Sequence, residues 1–203
     1  MTGAGVRRRN VLAAAGALAA IPGLALALGG RARVAVTTGQ GLIVVELSAD
    51  KAPITAANFL RYVDAHRFDG SSFYRAVRAG TPGSGLIEGG LQNAPGKLFP
   101  PIAHESTTQT GLTHQDGTIS MARYGPGTAT ADFFICAGPA PYLDANPAAP
   151  GDNLGYAAFG QVIHGMDVVR AIMALPTNGV ARNPAMKGQI LSPPAPIISM
   201  RRA

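Results

Sequence analysis

The sequence contains few of the residues that build disulfides and metal sites. Cys136 is the only cysteine among the 203 residues, so no intramolecular disulfide can form. Because a free cysteine in an apolar strand is usually a small core residue, we expect Cys136 to be buried and unreactive. The four histidines include no i, i+4 pair and no carboxylate cluster at ligand spacing. We therefore predict no metal site and no cofactor.

The chain also has no basic cluster of the kind that follows a nucleic-acid backbone. Its formal net charge is +6, but three of the 17 basic residues and none of the 11 acidic residues lie in the first 27 positions. The remainder has 14 basic and 11 acidic residues, a formal charge of +3. Its one late basic pair, Arg201-Arg202, is at the C-terminus. We expect no nucleic-acid partner.

The first 27 residues have the pattern of an export signal. Arg7-Arg8-Arg9 precede an uncharged run rich in Ala and Leu, Val11 to Leu28, and Ala25-Leu26-Ala27 provides the small residues of a cleavage site. Arg8-Arg9 also fits the twin-arginine pattern. The alternative is an uncleaved N-terminal anchor, because 18 uncharged residues approach the length of a membrane span. We expect a periplasmic protein, or one held by this anchor and facing the periplasm.

No second apolar run of that length follows, and the remaining 176 residues suffice for one domain with a sizeable core. We predict an export signal over 1–27, a linker over 28–33 and a single domain over 34–203.

Hydrophobic periodicity in that domain predicts mainly strands. A hairpin is expected over 34–47, because β-branched runs flank the turn Gly39-Gln40-Gly41. Further strands are predicted over 72–77, 86–89, 118–123, 132–136, 156–163 and 195–201. Two segments have helical spacing: one opens at Pro53, and the other follows Gly165, places Val168, Ile172 and Leu175 on one stripe and is stopped by Pro176. Periodicity alone thus indicates a β-rich domain with two helices.

Four segments give a more specific indication. Phe73-Tyr74-Arg75, Leu86 to Gly90, Gly117 to Gly138 and Phe159 to Met166 follow one another in this order. In that order they resemble a bacterial cyclophilin-type peptidyl-prolyl cis/trans isomerase over about 34–200. The resemblance implies a closed eight-stranded antiparallel β-barrel capped by two α-helices. It also implies proline-containing peptides and unfolded or folding proteins as partners. We expect a monomer.

The resemblance assigns roles to individual positions. Arg75 matches the catalytic arginine of the family. Leu86, Phe134, Leu143 and Tyr156 match the pocket for the proline ring, and Tyr142 matches an aromatic position beside it. Ala122 and Arg123 match residues whose main chain binds the extended peptide. Glu88 and Asp132 stand where the family usually has glutamine, and both are expected in the substrate site.

The assigned residues suit the chemistry. Rotation about an X-Pro bond is slow because amide resonance imposes a barrier of roughly 18–20 kcal/mol. A catalyst must hold the proline in an apolar pocket and stabilise the twisted transition state, and a guanidinium provides a permanent charge and rigid donors.

Four departures from the family pattern leave a second function open. Glu88 and Asp132 lose amide donors, Gly85 replaces a phenylalanine, and Tyr124 replaces a small residue beside the pocket. The expected function is an isomerase that assists the folding of exported proteins. The alternatives are a weakened cyclophilin-like domain that binds proline-containing segments as a chaperone or scaffold, and a structural barrel with an inactive site.

Overall fold

A computed structural model describes residues 31–203, so the predicted export signal over 1–27 and the first residues of the linker lie outside the described residues. Eight strands form a closed barrel in which every neighbouring pair is antiparallel, in the order β1-β2-β7-β5-β6-β4-β3-β8. The predicted fold class is confirmed. The strands are β1 Arg33–Thr38, β2 Gly41–Leu47, β3 Ser72–Arg78, β4 Gly85–Gly90, β5 Thr118–Met121, β6 Phe133–Ala137, β7 Ala157–His164 and β8 Ile190–Arg202.

Two main helices pack against the barrel, as predicted. Helix α1, Pro53–Asp64, contacts β7 and β8. Its first turn has no capping side chain of its own. Instead, the Glu105 carboxylate accepts hydrogen bonds from the backbone N–H groups of Ile54 (3.1 Å) and Thr55 (2.7 Å). A negative charge is favourable there, because a helix N-terminus carries partial positive charge.

The second predicted helix forms with a different buried face. A short α2, Thr107–Thr110, precedes it in the chain, and α3 spans Met166–Ala174. The residues of α3 that are buried are Val169, Ile172 and Met173, whereas Val168 and Leu175 are only partly buried against the core. The buried face is therefore rotated relative to the prediction, since Val169 and Met173 take the place of Val168, and Leu175 lies just beyond the end of the helix.

The core fills the barrel and is rich in aromatic rings. Phe133 of β6 lies 5.4 Å from Phe59 of α1 and 5.7 Å from Phe73 of β3, ring centroid to ring centroid, in edge-to-face arrangements. Such pairs add about 0.5–1.5 kcal/mol each beyond their area burial. These contacts attach α1 to the strands.

Three further features differ from the sequence prediction. Strand β5 stops at Met121, so Ala122 and Arg123 lie beyond its end. Strand β8 begins at Ile190 rather than at residue 195, because Ile190 pairs with Arg75 of β3. The four-residue α2 was not predicted, since it is too short to show a period. Among residues 31–203, none of the helices is both long enough and apolar enough to cross a bilayer.

Candidate active site

A cleft with a volume of about 760 Å³ lies on the outer side of β3, β4 and β6. All ten predicted site residues line it, although they come from positions as far apart as 75 and 156. Their roles in binding and catalysis stay predictions, but the structure places them together.

Strand register explains this convergence. Arg75 of β3 pairs with Glu88 of β4, and Glu88 pairs with Phe134 of β6. Because neighbouring residues in register point to the same face of a sheet, this row directs its three side chains towards the cleft. The adjacent row, which contains Phe73, Gly89 and Phe133, directs its phenylalanines into the barrel.

The apolar part of the cleft is a small cluster separate from the barrel core. Leu86, Phe134, Cys136 and Ala140 are buried in it, and Val77, Ala122, Leu143 and Tyr156 pack against it partly buried. The rings of Phe134 and Tyr156 meet edge to face, with centroids 5.4 Å apart. Tyr142 is 67% exposed, which places it at the mouth. This arrangement suits a small, rigid apolar ring.

Arg75 is fixed on two sides. Its Nη1 donates to Glu88 Oε2 at 2.7 Å, and its Nε donates to Gln189 Oε1 at 2.8 Å. A guanidinium has five N–H donors. Within residues 31–203, Nη2 has no hydrogen-bond partner, and 22% of the side chain is exposed. A ligand in the cleft would therefore meet an oriented cation with free donors.

A β-bulge brings a second side chain to Glu88. The register of β3 against β4 shifts between Phe73 and Arg75, so Tyr74 is the extra residue. The Tyr74 hydroxyl donates to Glu88 Oε1 at 2.8 Å, while Arg75 contacts the other oxygen. Burial and the neighbouring Glu88 raise the pKa of Tyr74 far above its usual value. Tyr74 therefore stays a hydrogen-bond donor, and both carboxylate oxygens of Glu88 are engaged.

Asp132 does not join this group. Its two oxygens accept hydrogen bonds from the backbone N–H groups of Gln92 (2.8 Å) and Asn93 (3.1 Å), both of which have positive φ near 50°. A Cβ at Gly90 would collide with Asp132, so this glycine admits the contact. Burial raises the pKa of Asp132, while the amide hydrogen bonds oppose the rise. Asp132 therefore stabilises a tight turn, and within residues 31–203 it makes no hydrogen bond or ion pair with Arg75.

Arg123 presents its main chain rather than its side chain. The side chain is only 4% exposed: it pairs with Asp152 at 2.6 Å and donates to the carbonyl of Gly155. Among the described residues, the N–H and C=O of Arg123 have no hydrogen-bond partner. These backbone groups can therefore pair with the main chain of an extended peptide, and binding of a peptide here stays a prediction.

A buried histidine lies behind the pocket, which sequence reasoning did not find. The His114 ring stacks on Phe134 with centroids 5.8 Å apart. Its Nδ1 lies 2.6 Å from Asp144 Oδ1, and its Nε2 lies 2.9 Å from Ser120 Oγ. Burial lowers the pKa of His114, although Asp144 opposes the effect. A neutral ring that donates from Nδ1 and accepts at Nε2 satisfies both partners.

Two departures from the family pattern have structural explanations. A Cβ at Gly85 would collide with the carbonyl oxygen of Val77, so this backbone, with φ of 154°, admits no larger residue. Tyr124 is 81% exposed and projects from the cleft edge, where Asn93 Nδ2 approaches its hydroxyl at 3.4 Å. The side chain is therefore at the mouth rather than inside the apolar pocket.

Cys136 is fully buried, and burial raises the pKa of its thiol to about 12. This confirms the expected unreactive core residue. Within the described part of the chain, no group of three or more His, Cys, Asp or Glu residues is placed to hold a metal ion.

Comparison with known proteins identifies the family. Residues 33–193 match the model of the cyclophilin-type peptidyl-prolyl cis-trans isomerases. The chain belongs to the cyclophilin family. The match covers most of the domain, and it confirms both the resemblance and the expected reaction class, an isomerase.

Bacterial cyclophilins give the same result. The chain is 35% identical over 146 residues to a peptidyl-prolyl cis-trans isomerase of Acinetobacter baylyi, covering 71% of this chain and 73% of that protein. It is 35% identical over 144 residues to isomerase B of Escherichia coli, covering 69% and 83%. A cyclophilin of Cryptosporidium parvum solved in the presence of the dipeptide Ala-Pro superposes with a TM-score of 0.67 at 21% identity, covering 84% and 98%. This structural likeness supports the fold.

Proposed function

We propose that this cyclophilin isomerises X-Pro bonds in the cleft on β3, β4 and β6, with Arg75 as the catalytic residue. The observation that carries the proposal is the position of Arg75, whose guanidinium is held by Glu88 and Gln189 while Nη2 has no partner within residues 31–203. A cation fixed in advance costs no reorganisation when the reaction occurs.

In this proposal the apolar cluster binds the substrate and the arginine stabilises the transition state. Phe134, Leu143 and Tyr156 hold the proline ring, and the backbone of Ala122 and Arg123 holds the chain before or after it. Arg75 donates a hydrogen bond towards the proline nitrogen of the amide. As the bond twists, the nitrogen lone pair localises, and a donor then interacts with it more strongly than in the planar ground state. This difference lowers the barrier.

The physiological substrates in this proposal are exported proteins during folding. The support comes from the sequence: an arginine-rich start, an uncharged Ala/Leu-rich run and small residues at its end. We propose a periplasmic location, reached through the twin-arginine route, or an anchored form that faces the periplasm. The Cryptosporidium parvum relative solved with Ala-Pro supports proline-containing peptides as ligands.

The test is cis/trans exchange of short Ala-Pro peptides by the chain without its signal. The wild type should accelerate exchange without any cofactor. Arg75→Ala should lower kcat/KM by at least about tenfold, roughly 1.4 kcal/mol of transition-state stabilisation. Arg75→Lys should recover little, because an ammonium lacks the planar fork. Arg170→Ala, which removes an exposed arginine paired with Asp116, is the matched control.

The Arg75–Glu88 ion pair favours a second candidate, a weakened cyclophilin that mainly binds proline-containing segments. A carboxylate 2.7 Å from Nη1 reduces the positive field that the reaction uses. The two candidates differ in one outcome. Peptide binding with exchange at the uncatalysed rate would replace the isomerase proposal by the binding one.

A further inference from the structure

The cleft extends beyond the proline pocket along the segment between α3 and β8. We call residues 178–190 the arm. Five arm residues line the cleft: Val180, Arg182, Asn183, Met186 and Ile190. The family pattern assigned none of them a role. A volume of about 760 Å³ holds several residues of a peptide, far more than one proline ring.

Hydrogen bonds within the arm fold it on itself, and its end is attached to β3, where Ala76 N donates to Gln189 O at 2.9 Å. Gly179 N donates to Ile190 O at 3.0 Å, and Ala185 N donates to the Asn183 side chain at 3.0 Å. At its end, Gln189 accepts the Nε hydrogen bond of Arg75. The arm is thus a structured second wall that is attached to the proposed catalytic arginine.

Among the described residues, Arg182 is the one arginine of the cleft that has no ion-pair partner. Arg75 pairs with Glu88, and Arg123 pairs with Asp152. The oxygens of Asp132 are engaged by backbone amides. Arg182, by contrast, is exposed, and within residues 31–203 it makes no ion pair and no side-chain hydrogen bond. Its charge is therefore not cancelled by contact with a carboxylate.

An apolar surface accompanies this charge. Val180 is 91% exposed, and Met186 is partly buried, on the same wall as Arg182. An exposed apolar side chain beside an unpaired cation matches a peptide side chain that has an apolar stem and an anionic end. Glutamate has this form, and aspartate has a shorter version of it.

We infer that the arm forms a subsite in which Arg182 binds an acidic residue close to the proline in sequence, so that acidic proline-containing segments are the preferred substrates. This inference rests on the proposed function, because the subsite lies in the same cleft. Complementary charge acts on encounter and register more than on the chemical step. The preference should therefore appear in KM and should weaken with salt.

The experiment uses peptides that carry Glu or Lys at one of the three positions before or after Ala-Pro. With wild-type protein at about 25 mM salt, we expect Glu to exceed Lys in kcat/KM by about threefold or more at one position. The difference should shrink at about 250 mM salt, where screening is stronger. Arg182→Glu should reverse the preference at that position. Lys187→Glu is the control, because Lys187 is exposed on the same arm and does not line the cleft.

The neutral Ala-Pro peptide and direct peptide binding separate this inference from the proposed function. Reversal of the preference by Arg182→Glu supports the subsite when Lys187→Glu leaves both the preference and the exchange of the neutral peptide unchanged. Equal use of Glu and Lys peptides at every position, or a Glu preference that Arg182→Glu leaves intact, overturns it. If no peptide is isomerised, fluorescence anisotropy with the same peptides still decides: binding that favours Glu and depends on Arg182 supports the subsite while the isomerase proposal fails.

Discussion

Phe133 and Phe134 are neighbours in β6, yet they belong to two chemically different regions. Phe133 lies in the barrel core among other phenylalanines and aliphatic residues. Phe134 lies on the outer side, in the small cluster with Leu86, and its row across the sheet contains Arg75 and Glu88. Adjacent strand residues point to opposite faces, so one strand serves both regions.

The difference teaches how this fold separates stability from chemistry. The interior row is stabilised by packing, because the Phe133 ring contacts the rings of Phe59, Phe68 and Phe73. The cleft row combines few apolar residues with charged groups, and each charged group is oriented by specific hydrogen bonds. A substitution in the first row should therefore change the free energy of unfolding, and one in the second row should change the rate.

The sharpest test of this separation exchanges the two phenylalanines in turn for alanine. Phe133→Ala should lower the free energy of unfolding by about 3–5 kcal/mol, because it leaves a cavity in a close-packed core. Phe134→Ala removes a ring that is buried in the small outer cluster and lines the cleft, so it should cost less stability than Phe133→Ala and reduce kcat/KM more. Urea unfolding and peptide exchange measure the two effects. Equal losses of stability would contradict the separation.

The alternation of side chains along a strand also explains which part of the fold could be predicted from the sequence. The strand-rich domain follows from periodicity, while the closed barrel and the positions of the site residues came from the family resemblance. Element boundaries were less accurate: β8 is five residues longer at its start than predicted. Pro193 and Pro194 in that segment indicate no strand, and only its pairing with β3 makes it one.

Contacts distant in sequence were not predictable. Gln189 is 114 residues from Arg75, and His114 is 30 residues from Asp144, so no spacing rule connects them. Tyr74 was predicted only as part of a strand, because the bulge that turns it towards Glu88 has no mark in the sequence. The position of Asp132 was predictable, but its turn-stabilising contacts depend on the positive φ of Gln92 and Asn93.

The two cleft carboxylates provide a second test, because they replace the same residue type and have different partners. Asp132→Asn should lower the free energy of unfolding by about 1–3 kcal/mol, since an amide cannot accept at both positions. Glu88→Gln removes the negative charge, but its carbonyl can still accept from Arg75 while its amide donates to the Tyr74 hydroxyl oxygen, which, unlike a backbone N–H, can also accept. We expect it to raise kcat/KM by about threefold with little change in stability.

The double variant sharpens this comparison. Because Glu88 is the one of these two carboxylates that contacts Arg75, the two substitutions should be additive in both unfolding and kinetics, within about 0.3–0.5 kcal/mol. Strong coupling in kcat/KM would mean that Asp132 also acts on the arginine. A decrease in kcat/KM for Glu88→Gln alone would mean that the carboxylate is needed to position Arg75, and the view of Glu88 as a handicap would then be wrong.

The smallest expected effect belongs to Gln189, the positioning residue that joins the arm to the cleft row. Gln189→Met has similar length and cannot accept the Nε hydrogen bond of Arg75 at 2.8 Å. Arg75 would then be held by Glu88 alone and would sample more orientations. We expect kcat to fall by about threefold, with KM and the urea midpoint nearly unchanged, because orientation matters most in the transition state. Gln40→Met, in the exposed hairpin turn, is the matched control and should leave all three values unchanged. If Gln189 is merely structural, Gln189→Met should lower the urea midpoint and leave kcat at its wild-type value. Glu88 would then be the one residue of the pair that positions Arg75.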